Sequence, residues 1–100
     1  MTKLNEIIHQ TVRLRIMAVL VTLEPGDEVD FTYLRDLLEV TDGNLGAHLR
    51  KLAEVGYINV SKTVVERKPH TFISATPEGR LCFAEYVAVL ESILKGKPWF

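Results

Sequence analysis

The sequence predicts an α+β fold, mainly α, in a single domain at residues 1–95 with a short C-terminal tail at 96–100. Three patterns support this prediction. Two short amphipathic segments between residues 31 and 57 are joined by a tight turn, which is the pattern of a helix-turn-helix. Alternating apolar and polar residues follow at 57–64 and again at 71–75, as in a pair of strands. Long apolar segments of helical periodicity lie at both ends of the chain.

Length and composition restrict the class of protein. The chain has 100 residues, of which 47% are hydrophobic and 25% charged, as is usual for a soluble globular domain. The sequence lacks both a signal-peptide pattern and an apolar run of the roughly 18 residues that a membrane helix needs. We therefore expect a cytoplasmic protein with no membrane partner. One cysteine and three scattered histidines offer no metal-ligand spacing, so we expect no metal and no cofactor.

The first helix is predicted from about Lys3 to Leu23, with a break near His9 to Thr11 left open. Its apolar side chains occupy two faces, and two faces require two packing partners. A Glu-Pro-Gly-Asp turn follows at 24–27. Residues 28–31 could form a short strand before the helix-turn-helix.

The helix-turn-helix has clear start and stop signals. Thr41 is expected to cap the second helix, at about 42–55, by accepting a hydrogen bond from an unpaired backbone amide. Gly56 is expected to end this helix in a left-handed conformation. Leucines at helical spacing predict the buried faces of the two helices, and these are Leu34, Leu37, Leu38, Leu45, Leu49 and Leu52.

Two glycines lie on the polar, outward part of the second helix. Glycine in a helix interior costs about 1 kcal/mol relative to alanine, so Gly43 and Gly46 require an explanation. One explanation is close approach of the backbone to a phosphate at the helix N-terminus. The other is that Gly46 allows the first helix to cross closely over the second.

The segment between the two strands, residues 65–70, is expected to be too long for a two-residue turn. It carries Arg67, Lys68 and His70, so we predict a projecting hairpin with a basic tip. Such a tip could lie along phosphates or in a minor groove. Alternatively, its charges could serve only to keep a sheet edge from pairing with other molecules.

The final helix is predicted from Pro77 to about Lys95, because Thr76 and Pro77 form a strong helix start. Two apolar stripes run along this helix, and a small domain seldom covers both. Together with the surplus on the first helix, they predict a homodimer. The alternative is a monomer in which the hairpin and first helix cover both stripes. The expected interface residues are Leu14, Met17, Val21, Cys82, Tyr86, Val89 and Ile93.

This order of elements resembles that of the winged-helix transcription regulators, in particular the short members related to MarR and ArsR. The most specific segments are TDGNLGAHLRKLAEVGYI at 41–58 and KPHTFISATPEGR at 68–80. They are similar to the family's recognition helix and to its wing strand followed by a helix start. The resemblance implies a winged helix-turn-helix with a two-stranded β-hairpin wing and long N- and C-terminal helices. It also implies sequence-specific binding to double-stranded DNA by a homodimer.

The resemblance further implies which residues contact DNA. The recognition helix would enter the major groove, and the wing at about 62–70 would lie on the backbone or in the minor groove. The residues near base edges would be Asn44, Ala47 and His48. Those near the backbone would be Thr41 and Gly43, with Arg50 and Lys51 on phosphates or a guanine. The wing would contribute Lys62, Arg67 and Lys68, with His70 as an additional cation.

Charge and chemistry leave one alternative open. The net charge of −1 and the pI of about 6.3 are unusual for a nucleic-acid-binding protein. The charges are unevenly distributed, however, since residues 43–72 carry five cations and two anions, whereas 24–40 carry six acids and one arginine. The alternative is a winged-helix module that binds another protein and not DNA. An enzyme is not expected, because no nucleophile, base and orienting group occur together, and no motif identifies an effector ligand.

Overall fold

A computed structural model describes residues 3–96 and shows four helices and a three-stranded antiparallel sheet. The predicted order of elements and the mainly helical α+β class are confirmed. The elements in chain order are α1 (Thr11–Val21), β1 (Val29–Asp30), α2 (Phe31–Leu38), α3 (Asp42–Glu54), β2 (Ile58–Val65), β3 (Lys68–Ala75) and α4 (Pro77–Leu94). Of the predicted tail, residues 97–100 lie outside the described residues.

The first helix begins at Thr11 and not at Lys3, so the break near His9 to Thr11 is present. Side chains satisfy the local backbone donors on both sides of the break. The Asn5 side-chain oxygen accepts from the amides of Ile7 and Ile8, which fold the preceding residues into a turn. The Gln10 side chain caps α1. Such side-chain bonds compete with helix formation and explain the shorter helix.

The sheet has the order β1-β3-β2, so the wing hairpin is joined to the body of the domain through β3. The expected strand at 28–31 is confirmed as Val29–Asp30, which pairs with Ile73 and Phe72 of β3. Strands β2 and β3 pair along their full length, from Ile58 opposite Ala75 to Val65 opposite Lys68.

The turn of the hairpin differs from the prediction. Glu66 and Arg67 alone connect the strands, and both have positive φ, 50° and 69°. This is the geometry of a type I′ turn, whose twist matches that of the flanking strands. The longer loop predicted at 65–70 is therefore wrong, and Lys68 to His70 belong to β3. The sequence does not indicate this turn, because neither Glu66 nor Arg67 is the asparagine or glycine that is usual at these positions.

The core lies between the helices and one face of the sheet. Five of the six leucines predicted to face inward are buried, and the exception is Leu37, which is 47% exposed. The buried stripe of the short helix α2 is already filled by Leu34 and Leu38. The remaining large, fully buried side chains come from the N-terminal turn, α1 and β3, and they are Ile8, Ile16, Met17, Leu20 and Ile73.

Two residues that the sequence analysis did not single out attach α4 to the domain. A Cβ atom at Gly79 would overlap the carbonyl oxygen of Tyr57, so this position requires glycine. The guanidinium of Arg80 donates to three carbonyls at the end of α1, those of Leu20, Val21 and Leu23. A cation at this position also interacts favourably with the negative end of the helix dipole.

Candidate nucleic-acid interface

Helix α3 begins as the sequence predicts. The Thr41 hydroxyl accepts a hydrogen bond from the amide of Asn44 at 3.1 Å. Leu45, Leu49 and Leu52 are buried, and this fixes which face of the helix points outward. The exposed predicted DNA contacts on and beside this helix are Thr41, Gly43, Asn44, Ala47, Arg50 and Lys51.

The glycines of α3 border open space. A Cβ atom at Gly43 would have no neighbour within 4 Å, and one at Gly46 would meet only Arg50 Nη1 at 3.8 Å. The expectation that Gly46 permits a close crossing of two helices is therefore wrong. Gly46 instead lines an open groove of about 400 Å³ between α3 and the sheet.

This groove brings the recognition helix and the wing together. Arg50 of α3 and Lys62 of β2 both line it, and its apolar wall includes Phe31 and Val60. The other predicted wing cations, Arg67 and Lys68, are also exposed. Cations from two separate elements thus lie along one concave surface, as a polyanion would require.

His48 does not lie on the open outward face where the sequence placed it. Its ring is half-buried, and Nδ1 is 3.1 Å from Nη1 of Arg13 on α1. Burial lowers the pKa of His48, and the positive charge of Arg13 lowers it further. The periodicity of α3 could not reveal this contact, because Arg13 is 35 residues away in the chain.

His70 lies beside the body of the domain and not at the tip of the wing. Its Nδ1 is 2.6 Å from Oδ2 of Asp30, and its ring stacks on Phe72. Asp30 also caps α2 by accepting from the amide and the hydroxyl of Thr32. The Thr32 hydroxyl and His70 are the main groups that lower the pKa of Asp30, from 3.8 to about 2. We therefore correct the assignment of His70 as a free cation of the wing tip.

An ion pair joins the two helices of the helix-turn-helix. Arg35 of α2 contacts Asp42, the first residue of α3, at 2.9 Å, and it also contacts Asp36. These two carboxylates raise the pKa of Arg35 above its usual value. Asp42 places a negative charge beside the positive end of the α3 dipole, and Arg35 partly neutralises that charge. Sequence reasoning did not predict this contact.

The residues predicted for a dimer interface fall into two groups. Met17 is fully buried and Tyr86 is 2% exposed, with the Tyr86 hydroxyl 2.7 Å from His9 Nδ1. These two side chains are covered by their own chain, so we remove them from the interface. The others are half-buried, and they are Leu14, Val21, Cys82, Val89 and Ile93.

Within residues 3–96, no group of three or more His, Cys, Asp or Glu side chains is arranged to hold a metal ion. None of the helices in this range combines the length and apolar character needed to span a membrane.

Comparison with known proteins places this geometry in a family. A family model described as a winged helix DNA-binding domain matches residues 12–94. An uncharacterised protein of Methanocaldococcus jannaschii is 39% identical over 82 residues, which cover 82% of this chain and 86% of that protein.

Solved structures of transcriptional regulators share the fold. A transcriptional regulator homologue from Pyrococcus horikoshii OT3 superposes with a TM-score of 0.83 at 27% identity, covering 92% of this chain and 88% of that one. A MarR-family regulator from Enterococcus faecalis V583 has a TM-score of 0.75 at 19% identity, covering 90% and 78% of the two chains. The order of elements, the joined helix and wing, and the family-model match together show that the chain belongs to the winged helix DNA-binding domain family.

Proposed function

We propose that the protein is a sequence-specific, double-stranded DNA-binding transcriptional regulator that acts as a cytoplasmic homodimer. The observation that carries this proposal is the shared groove, because it aligns Arg50 of the recognition helix with Lys62 of the wing. In the proposal, α3 enters the major groove and the wing lies on the backbone or in the minor groove. No enzymatic reaction is assigned to the chain.

The exposed residues divide by chemistry into base-reading and phosphate-binding groups. Asn44 can form two hydrogen bonds to an adenine, and Ala47 can contact a thymine methyl group. Thr41 and Gly43 lie at the helix start, where backbone amides favour a phosphate. The cations proposed to contact phosphates, or a guanine in the case of Arg50, are Arg50, Lys51, Lys62, Arg67 and Lys68.

The second half of α4 supports the dimer. This helix has 18 residues, so it is about 27 Å long. Its two buried residues, Gly79 and Tyr86, lie in the first ten positions, and Leu94 near its end is 76% exposed. We propose that a second copy covers this half, pairing N- and C-terminal helices across a two-fold axis. The two recognition helices would then read half-sites about 34 Å apart.

Salt-dependent binding to DNA tests the phosphate contacts. Fluorescence anisotropy would compare the wild type, the Arg67→Ala/Lys68→Ala double variant and a Lys95→Ala control on labelled random duplex. Each lost phosphate contact lowers the slope of log K against log salt by about 0.9. When the salt concentration rises from about 50 to 200 mM, the affinity therefore falls by about 3.5-fold for each phosphate contact that the protein makes. The double variant should lose about two such contacts, and the control should lose none.

Two results would count against this function. A folded wild type that does not bind duplex at low salt would favour the protein-binding alternative. A double variant with the wild-type slope would remove the wing from the interface. Once a preferred site has been selected from random sequences, Asn44→Ala should weaken that site more than random duplex. An equal loss on both would contradict base reading by Asn44.

The oligomeric state has a separate test. Sedimentation equilibrium should give the mass of two chains for the wild type and of one chain for Ile93→Glu, because a charge at a buried apolar interface is costly. A wild type with the mass of one chain would refute the proposed dimer.

A further inference from the structure

Several hydrogen bonds fix the position of Arg13 beside His48. Arg13 Nε donates to the carbonyl of Ile7, while Nη1 lies 3.1 Å from His48 Nδ1. The backbone amide of Arg13 donates to the Gln10 side chain at the start of α1. The guanidinium is therefore fixed at two of its nitrogens, and its orientation toward the imidazole ring is set by the N-terminal turn.

This contact determines the protonation state of the ring. A guanidinium has five N–H donors and no acceptor. His48 Nδ1 must therefore accept the hydrogen bond, which excludes a proton on that nitrogen. The neutral ring then carries its proton on Nε2. The lowered pKa of His48 favours the same uncharged state.

The proton on Nε2 is available at the surface. Among the described residues, Arg80 Nε is the only buried side-chain nitrogen or oxygen without a hydrogen-bond partner. His48 Nε2 also has no such partner within residues 3–96, so among these residues it is not buried and can meet an external acceptor. At about 100° per residue, His48 lies roughly 70° from the centre of the Leu45, Leu49 and Leu52 stripe. With α3 in a major groove, as the proposed function requires, a ring on this flank would face the wall of the groove, where the phosphates are, and not the base edges.

We propose that Arg13 is a positioning residue that holds His48 as a neutral Nε2–H donor to a phosphate oxygen of the DNA backbone. The inference rests on the proposed function, since it requires α3 to enter a groove. It replaces base reading by His48 with a sequence-independent contact. Because the donor is uncharged, the contact adds affinity without releasing a counterion.

Nitrogen-detected NMR of the free protein tests the positioning step without DNA. The wild type at neutral pH should show a His48 ring protonated on Nε2 alone. In Arg13→Met, part of the ring population should move to the Nδ1–H form, and His48 should titrate at higher pH. Arg15→Met removes the same charge from the same helix, but Arg15 bonds to the Leu38 carbonyl and not to His48, so it is the matched control.

Two NMR results would overturn the positioning role. One is a charged or Nδ1-protonated His48 in the wild type at neutral pH. The other is a His48 titration in folded Arg13→Met that coincides with that of the wild type. The wild-type spectrum decides the first point even if Arg13→Met does not fold.

Binding to random duplex tests the phosphate contact. His48→Phe keeps the aromatic ring but lacks the donor, so its affinity should fall about 2- to 12-fold, as for loss of one hydrogen bond. Its salt slope should stay at the wild-type value, whereas Lys51→Ala should lower the slope by about 0.9. Unchanged affinity in His48→Phe would refute the contact, and a lowered slope would show that the ring carries charge. A wild type that does not bind DNA would refute both the function and the phosphate contact, while NMR would still decide the tautomer.

Discussion

Gly79 is the position where the structure predicts the largest effect of adding a single methyl group. In Gly79→Ala, the new Cβ atom would overlap the Tyr57 carbonyl oxygen and lie 2.9 Å from its carbonyl carbon and 3.0 Å from its Cα. These neighbours are backbone atoms, which cannot rotate away as a side chain would. The start of α4 must therefore move away from the chain that leads into β2.

The cost of this movement can be worked out from the contacts it disturbs. Overpacking of a close-packed site costs about 1–3 kcal/mol. The displacement also strains the hydrogen bonds from Thr76 to the carbonyls of Tyr57 and Gly56, each contributing about 1 kcal/mol. The higher helix propensity of alanine offsets about 1 kcal/mol of this destabilisation. We expect the free energy of unfolding to fall by about 2–4 kcal/mol, which lowers the Tm by roughly 10–30 °C for a domain of this size.

Urea and thermal unfolding, followed by far-UV circular dichroism at a fixed protein concentration, would measure this loss. Gly43→Ala is the matched control, because it adds the same methyl group to a helix where nothing lies within 4 Å. The control should be as stable as the wild type or gain up to about 1 kcal/mol. If Gly79→Ala unfolds within about 0.5 kcal/mol of the wild type, a size typical of surface substitutions, the argument from close backbone approach is wrong.

Three other substitutions test the contacts that hold the fold together. Arg80→Met removes the donors to the three carbonyls at the end of α1, and it should lower the unfolding free energy by about 2–4 kcal/mol in urea unfolding. Asp30 has its pKa lowered from 3.8 to about 2, so its contribution is present above pH 4 and is lost as the pH falls toward 2. Asp30→Asn should therefore flatten the acid side of a plot of stability against pH, and an unchanged slope there would contradict the assignment. Thr41→Ala removes the cap of α3 and should cost about 1 kcal/mol, whereas Thr41→Ser should keep most of the stability.

The parts of the fold that the sequence predicted correctly are governed by local interactions. The cap of α3 at Thr41 and the start of α4 at Thr76 both depend on a side chain and an amide three residues later. The buried leucines of α3 follow from the helical period alone. These signals lie within a few residues of one another, so they can be read directly from the chain.

Three features that were overlooked or predicted wrongly depend on contacts or conformations that no local sequence pattern specifies. The close approach at Gly79 depends on Tyr57, and the position of His48 depends on Arg13 in another helix. The short turn of the wing depends on two charged residues adopting a left-handed conformation, which residue type alone does not favour. The exposed face of α3 could therefore be predicted from the sequence, while the orientation of the two histidines required the tertiary structure.

The attachment of the wing through β3 has a consequence for the shape of DNA that the protein can accept. Strand β1 pairs with β3 and runs directly into α2, with no residue between them. The wing and the helix-turn-helix therefore form one stiff frame, and the span between α3 and the wing is set by the twist of the sheet. On the proposed function, a duplex whose groove width does not match this span must deform to bind. The energy of that deformation depends on base sequence, so the frame would discriminate among sites at base pairs that no side chain touches.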